Sequence, residues 1–454
     1  MDYKHSVALD NSKCVGCTAC LKRCPTEAIR IKNGHAVINS ARCIDCGECV
    51  RVCTHKAKKV THDPLSVIGN FKYSIALPAP SLYGQFDKLD NIGYIIRGLH
   101  DIGFDDVFEV ACAAELVTAY TRLYIKREGV KKPVISSACP AIMRMISMNY
   151  PSLCEHTMPI LPPVDIAACL AREKAKEEHP ELADGDIGII FISPCPAKVG
   201  YVKNNFAGER NYIDATVSVR DVYFALLDAM KKHGDEPEET TQSGMIGIGW
   251  ASTGGESSAI MNERYLAVDG IENCIRVLDQ IDNEDISDID FIELNACSGG
   301  CVGGALTVTN PYIAQMRLKS LKRYLPVSPN RPASEWIPDK FFSENKLEYS
   351  PYNILSEDMK TARRMMNDIE SIVENLPNID CGSCGAPTCM AFAEDIVRGE
   401  ANADDCTIIM REMFHGFLEQ RKHKALLDKL IPLSHSDDHH SDDGKGGVDS
   451  GERQ

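Results

Sequence analysis

The chain has 454 residues, 44% of them hydrophobic and 25% charged, ordinary globular values that exclude disorder over most of its length. Its net charge of −16, from 49 Lys and Arg against 65 Asp and Glu, argues against general nucleic-acid or anionic-membrane binding, and its longest near-apolar run, Ile187 to Pro196, is far shorter than the ~20 residues of a membrane span. The anomaly is 20 Cys with no apolar leader after Met1, which points to a cytoplasmic location where disulfides do not persist and metal is the natural use of the thiols.

Cys14, Cys17, Cys20 and Cys24 follow the pattern C-x2-C-x2-C-x3-C-P, closed by Pro25. Cys43, Cys46, Cys49 and Cys53 repeat it at a constant offset of 29 residues, with Thr54 in place of the Pro. The offset marks an internal duplication. Three thiolates at spacing three with a distant fourth suit a cubane, whereas tetrahedral zinc takes two CxxC pairs set well apart. In two-cluster ferredoxins the fourth Cys of each run ligates the other cluster. Cys14, Cys17, Cys20 and Cys53 are therefore expected to hold one [4Fe-4S] cluster, and Cys43, Cys46, Cys49 and Cys24 a second. The segment, residues 1–62, resembles the bacterial two-cluster ferredoxin modules, small α+β domains.

From about Lys72 to Glu335 short apolar strands alternate with helical stretches. The pattern predicts strands at Tyr73–Leu77, Asp106–Val110, Val134–Ser137, Gly188–Ile192 and Phe291–Leu294, and helices such as Leu116–Lys126 and Val219–Lys232. This is an α/β domain with partly parallel sheets, placed over residues 70–350. Ligands in such sheets sit at the carboxyl ends of strands, where Cys112, Cys139, Cys195 and Cys297 are expected. Cys154, Cys169 and Cys274 read as ordinary core residues and stay unassigned.

Ser136-Ser-Ala-Cys139-Pro-Ala resembles the first signature of the [FeFe]-hydrogenases, usually TSCCPA. Pro194-Cys195-Pro-Ala-Lys198 resembles the second, PCxxK. Glu293-Leu-Asn-Ala-Cys297-Ser-Gly-Gly-Cys301-Val-Gly-Gly resembles the third, ExxACxGGCxxGG. The resemblance implies an H-cluster, a [4Fe-4S] cubane thiolate-bridged to a diiron unit with CO and CN ligands. It implies that Cys139, Cys195, Cys297 and Cys301 hold the cubane, that Cys301 also bridges to the diiron unit, and that Lys198 hydrogen-bonds a cyanide. Ser193, Pro194, Asn295 and the loop Thr253-Gly254-Gly255 are the positions expected around that unit.

The chain departs from the family where protons move. Ala138 stands where the fast enzymes carry a second, proton-relaying Cys. Ser193 and Tyr201 replace the Met that opens the second motif and the Glu beyond its Lys, Asn295 replaces a Met in the third, and Tyr120 and Thr121 occupy relay positions after Glu115. A positioned acid or base is worth roughly 10²–10⁴ in rate, so slow H2 turnover is expected. Glu256 and Cys112 are candidate substitute relays, against the plainer readings of a solvated Glu and a packed Cys.

Cys381, Cys384, Cys389 and Cys406 are spaced C-x2-C-x4-C-x16-C. A helix capped near Ser356 precedes them, with Met359, Ala362, Met366, Ile369 and Val373 on one face. The run resembles a small [4Fe-4S] domain of anaerobic redox proteins, mostly helical and placed over 355–433; structural zinc is the alternative. Residues 434–454 are polar and expected to be disordered, with His435, His439 and His440 as weak metal donors; Arg421 to Lys429 reads as a charged helix end suited to docking. The whole arrangement resembles the sensory group D of [FeFe]-hydrogenases. It implies a ferredoxin or signalling protein as redox partner and maturation proteins to install the diiron unit. The rival reading is a non-catalytic electron-transfer or cluster-assembly protein without that unit. No GxGxxG follows a strand, which speaks against nucleotide coupling within this chain. The proton/H2 couple near −0.41 V at pH 7, from ~59 mV per pH unit, matches ferredoxin-type clusters near ~−0.4 V, so electrons can run either way.

Overall fold

The protein is described here by a computed structural model covering residues 3–205, 212–230, 240–286 and 288–420. The expectations for 434–454 and for Arg421 to Lys429 lie outside the described residues. The duplication is drawn in the backbone: helix Ala19–Lys22 recurs 29 residues on as Glu48–Arg51, each starting from a left-handed residue, Thr18 and Gly47. Strands β1 (Val7–Leu9), β2 (Ile29–Lys32), β3 (His35–Ile38) and β4 (Lys58–Val60) form two antiparallel pairs, β1 with β4 and β2 with β3. Asn33 and Gly34, both at positive φ, make the two-residue turn that suits the twist of the β2–β3 hairpin. The core beneath is small (Cys20, Leu21, Ile29 and Ala36), so bound clusters would contribute much of this module's stability.

The middle of the chain builds two parallel sheets from β5 (Tyr73–Pro78), β6 (Asp106–Val107), β7 (Val134–Ile135), β8 (Ile187–Ser193), β9 (Ala215–Ser218), β10 (Tyr265–Asp269) and β11 (Phe291–Asn295). Their orders are β6-β5-β8-β9 and β10-β11-β7. β8 is buried at every residue, the signature of a parallel strand covered on both faces. Val110–Ile125 and Pro163–Glu178 cover one side of the first sheet, and Gly93–Ile102 and Val219–Met230 the other. β9 and β10 were not anticipated. The strand expected over Asp106–Val110 stops at Val107, because Glu109 starts a helix at Val110. Cys112 therefore sits in the first turn of a helix and not at a strand end.

The C-terminal part packs Met359–Glu374 against Cys389–Val397 around Ile369, Leu376 and Phe392. Its first helix is capped by Asp358, whose carboxylate accepts from the Lys360 and Thr361 amides, and not by Ser356, which instead receives the Asp358 amide. Only the later half of the expected apolar face is used: Ile369 is buried, while Met359 is 82% exposed. This part docks on the ferredoxin-type module. The Ile31 amide of β2 donates to the Gly385 carbonyl at 2.8 Å. Arg30 grips Asp395 with two hydrogen bonds of 2.5 and 3.0 Å. Arg42 reaches Glu394 at 2.5 Å, and Lys22 donates to the Asp380 and Pro387 carbonyls. No described helix is long and apolar enough to cross a membrane.

Candidate metal centre and its proton donors

Three loops leave the carboxyl ends of β7, β8 and β11, and each carries motif cysteines. Cys139 and Cys195 occupy equivalent places, as N-caps of helices that begin Pro140 and Pro196. Proline suits that first position, since its fixed φ fits the helix and its missing N–H is not needed. Two helix N-termini thus face one region, which favours negative charge there. Cys297 and Cys301 follow β11 on a tight loop. Gly304 closes it against the second motif, where any Cβ would collide with the Pro194 carbonyl oxygen, and the Leu306 amide donates to that same oxygen at 2.9 Å.

Three of the four thiols act on one ammonium, and the fourth, Cys297, acts on Cys139 and Cys195. Lys198 Nζ lies 3.5 Å from Cys301 Sγ, and Cys301, Cys195 and Cys139 all act on its charge. Burial opposes that charge, but the three sulfurs outweigh it and hold the ammonium protonated well above the usual lysine range. No carboxylate is hydrogen-bonded to Lys198 among the described residues. Those thiols, once ionised, are the anionic partners that a buried ammonium needs. A thiolate-held cluster fits this donor set.

Residues 72–265 and 255–305, together more than half of the chain, match the family "Iron only hydrogenase large subunit, C-terminal domain". The chain belongs to the iron-only hydrogenase family. Residues 6–54 of this hydrogenase-family chain match a 4Fe-4S dicluster domain, and residues 376–408 match a model for an Fe-S cluster segment. The chain is 27% identical over 368 residues to the periplasmic [Fe] hydrogenase large subunit of Nitratidesulfovibrio vulgaris, an alignment spanning 67% of this chain and 86% of that one. It is 24% identical over 386 residues to iron hydrogenase 1 of Clostridium pasteurianum, spanning 67% and 66%. The [FeFe]-hydrogenase HydA1 from Chlamydomonas reinhardtii superposes with a TM-score of 0.43 and 17% identity, over 57% of this chain and 87% of that one; the assignment rests on the sequence matches alone.

In this hydrogenase-family site the positions expected around the diiron unit have definite neighbours. Ser193 is fully buried and turns its hydroxyl onto the Cys195 carbonyl at 3.0 Å, bracing the second motif. Thr253 Oγ1 donates to Asp269 at 2.9 Å, and Gly254 and Gly255 start the short helix that carries Glu256. Asn295 does not present its amide freely: Nδ2 donates to Glu293 Oε1 at 2.8 Å.

Glu256 is not the solvated residue of the plainer reading. It is 3% exposed, with its carboxyl 2.7 Å from the Ser136 hydroxyl, which in turn receives the Ala138 amide at 3.2 Å. The acid therefore reaches, through one hydroxyl, the backbone of Ala138. Burial and then the neighbouring Glu293 push the Glu256 carboxyl well above the usual range, against smaller opposing effects of Ser136 and Lys198. Burial also raises Glu293, but four donors offset it: the Ser257 amide and hydroxyl, the Gly254 amide and the Asn295 amide group. Both carboxyls are raised, Glu256 the more strongly, so Glu256 is the member of the pair that takes up a proton first. Glu293 is the first residue of the third motif, so its position was legible although its role was not. Cys112 is packed away from this pair, 3.4 Å from the Ser243 hydroxyl, with burial and then Glu109 pushing its thiol up to about 12. Tyr120 and Thr121 are buried, and the Thr121 hydroxyl is spent on the Val117 carbonyl.

The ferredoxin-type thiols gather as two crossed sets. A small cavity is bounded by Cys14, Cys17, Cys20 and Cys53, without Cys24. Cys24 instead lies with Cys43, Cys46 and Cys49, each of which responds to its charge. Cys384 neighbours Cys406 and Cys381, while the Cys389 amide is tied to Asp380 at 2.6 Å. Among the described residues no three His, Cys, Asp or Glu side chains converge as ligands of one bare ion would. Cys154 and Cys274 are buried and bonded to backbone carbonyls; Cys169 is buried beside Glu173.

Behind the first two motif loops lies a cavity of about 1420 Å³ that touches Ser137, Pro140, Ala197 and Tyr201 but none of the cluster thiols. The Tyr201 hydroxyl donates to Asp165, which is buried in the first turn of its helix. Burial raises the Asp165 carboxyl to about 7, against the opposing hydroxyl. An unfolded Asp titrates near ~3.9, so the folded state binds the extra proton between those values. This contribution to stability is complete below about pH 4 and is lost as pH rises to about 7, by up to about 4 kcal/mol. Asp165→Asn should therefore gain more stability over the wild type at about pH 8 than at about pH 5, by urea denaturation. An equal difference at both pH values would refute the assignment.

Proposed function

We propose that this chain catalyses reversible H2 oxidation and proton reduction, slowly, and serves H2 or redox sensing through its chain of clusters. The observation that carries the reading is the gathering of Cys139, Cys195, Cys297 and Cys301 in one site, with Lys198 3.5 Å from the Cys301 sulfur and Ala138 in place of a relay thiol. Those four cysteines would hold the cubane, Cys301 the bridge, and Lys198 a cyanide. When bound, the H-cluster supplies the site at which H2 is separated into protons and electrons. The chain's own residues handle the proton: with no thiol at 138, Ser136 passes it to and from the Glu256 carboxyl, whose hold on a proton burial strengthens. Electrons leave through the cluster of Cys24, Cys43, Cys46 and Cys49, then that of Cys14, Cys17, Cys20 and Cys53. The C-terminal cluster of Cys381, Cys384, Cys389 and Cys406 lies at the far end. This order is supported by the Gly385 contact to Ile31, a residue that also lines the Cys14 cavity. A ferredoxin or signalling protein would take the electrons there, and maturation proteins would install the diiron unit, in the cytoplasm.

One observation favours a second reading. Ala138 suits equally a non-catalytic iron–sulfur protein that never receives the diiron unit. Infrared spectroscopy of the matured protein under H2 and under argon separates the two. Bands of iron-bound CO and CN that change with the gas are expected; their absence from fully matured protein removes the enzymatic reading.

A further inference from the structure

Arg51 lies between Cys49 and Cys53, at the end of the second short helix of the ferredoxin-type module. Its guanidinium reaches out of that module. Nη2 donates to Cys297 Sγ at 2.8 Å and Nε to the Gly303 carbonyl at 3.3 Å. Nη1 stays at home, donating to the Cys46 carbonyl at 3.1 Å and to Glu48 at 2.8 Å. One planar cation therefore touches a thiol of the H-domain site and the ligand loop of the adjacent ferredoxin-type cluster. The loops are held close around it. A Cβ on Gly47, between Cys46 and Cys49, would fall 2.9 Å from Ala305 Cβ and 3.1 Å from Pro196 Cγ. The Arg51 side chain is 25% exposed, so its charge is only partly screened.

Resting on the reading that Cys297 ligates a cubane, we propose that Arg51 sets the potential of the H-domain cubane relative to the cluster of Cys24, Cys43, Cys46 and Cys49. The exchange concerned is one electron: the ferredoxin-type cluster is oxidised, the H-domain cubane is reduced, and no bond forms or breaks. Reduction adds negative charge to a cluster and its thiolates. A fully charged N–H donor on one thiolate stabilises that reduced form more than the oxidised one, and so raises the potential. The effect is uneven, because Arg51 donates directly to a sulfur in the H-domain but only to a carbonyl in the neighbouring loop, where the Cys46 thiol feels its charge less. Electrons are thereby biased inward, toward the site of chemistry.

The test uses the full chain with its [4Fe-4S] clusters reconstituted and no diiron unit installed. Redox titration is followed by electron paramagnetic resonance in the wild type, Arg51→Gln and Arg51→Lys. In Arg51→Gln the H-domain cubane should move to lower potential, shifting the electron-exchange equilibrium about tenfold, or about 59 mV for one electron. Arg51→Lys should shift it less, since the charge survives without the two-pronged geometry. The cluster of Cys24, Cys43, Cys46 and Cys49 should move less than the H-domain cubane. An unchanged H-domain potential at full iron content overturns the proposal, as does a parallel shift of both clusters, which is what a merely structural arginine would give. Should Arg51→Gln lose iron, the Lys variant decides alone. If Cys297→Ala leaves every cluster signal in place, the cubane reading itself fails, and this inference falls with it.

Discussion

Replacing Glu256 with Gln should lower H2 turnover by roughly 10²–10⁴-fold, the range for removing a positioned acid or base. Gln keeps the size and the hydrogen bond to Ser136 but cannot give up a proton. The infrared bands of the diiron unit should persist, because Glu256 contacts neither the thiols nor their loops through any hydrogen bond but that to Ser136. Methyl-viologen-linked H2 uptake reads the loss. Ala138→Cys probes the same step from the other side: a thiol restored there should raise turnover and make it less dependent on Glu256. If Glu256→Gln retains the wild-type rate, protons travel elsewhere. If the wild type is already fast and the new thiol changes nothing, Ala138 does not explain slowness.

Breaking the clasp between the two ends of the chain should have the largest effect on stability. Arg30 and Asp395 are only 12% and 11% exposed. Arg30→Met would leave the Asp395 carboxylate without its guanidinium in a dry interface, at about 3–5 kcal/mol. The double variant Arg30→Met with Asp395→Leu should recover most of that, since a matched apolar pair need not be worse than a buried ion pair. Denaturant midpoints of the three variants, with limited proteolysis at the 376–408 segment, measure the coupling. Additive effects would show that the two groups do not interact, and the pair would then be ornamental.

Cysteines were the most legible part of this sequence, because a cluster dictates local spacing. The duplicated runs set which thiols meet, and the three motif loops lie at strand ends as α/β topology requires. What could not be read depends on distance in sequence. Arg51 meets Cys297 across 246 residues, and Glu256 meets Ser136 across 120; neither contact leaves a pattern in the chain. Cys112 was misplaced for a local reason. Val107, Phe108 and Val110 read as one β-run, but Glu109 breaks it, and the alanine-rich stretch after Val110 is better served by helix. The cap at Asp358 was missed by two residues because Ser356 offers the same chemistry; the carboxylate, able to take two amides, prevails.

The Gly385 carbonyl on the Ile31 amide also governs the order in which the chain is completed. The ferredoxin-type module precedes the C-terminal part during synthesis, and Arg30 and Arg42 wait for partners more than 350 residues later. Until then it carries an uncovered strand edge and two unmatched guanidinium groups, features that invite wrong pairing. The 376–408 segment thus serves as a closing latch, and a ribosome that stalls before residue 376 would release a protein whose ferredoxin-type module is left unprotected.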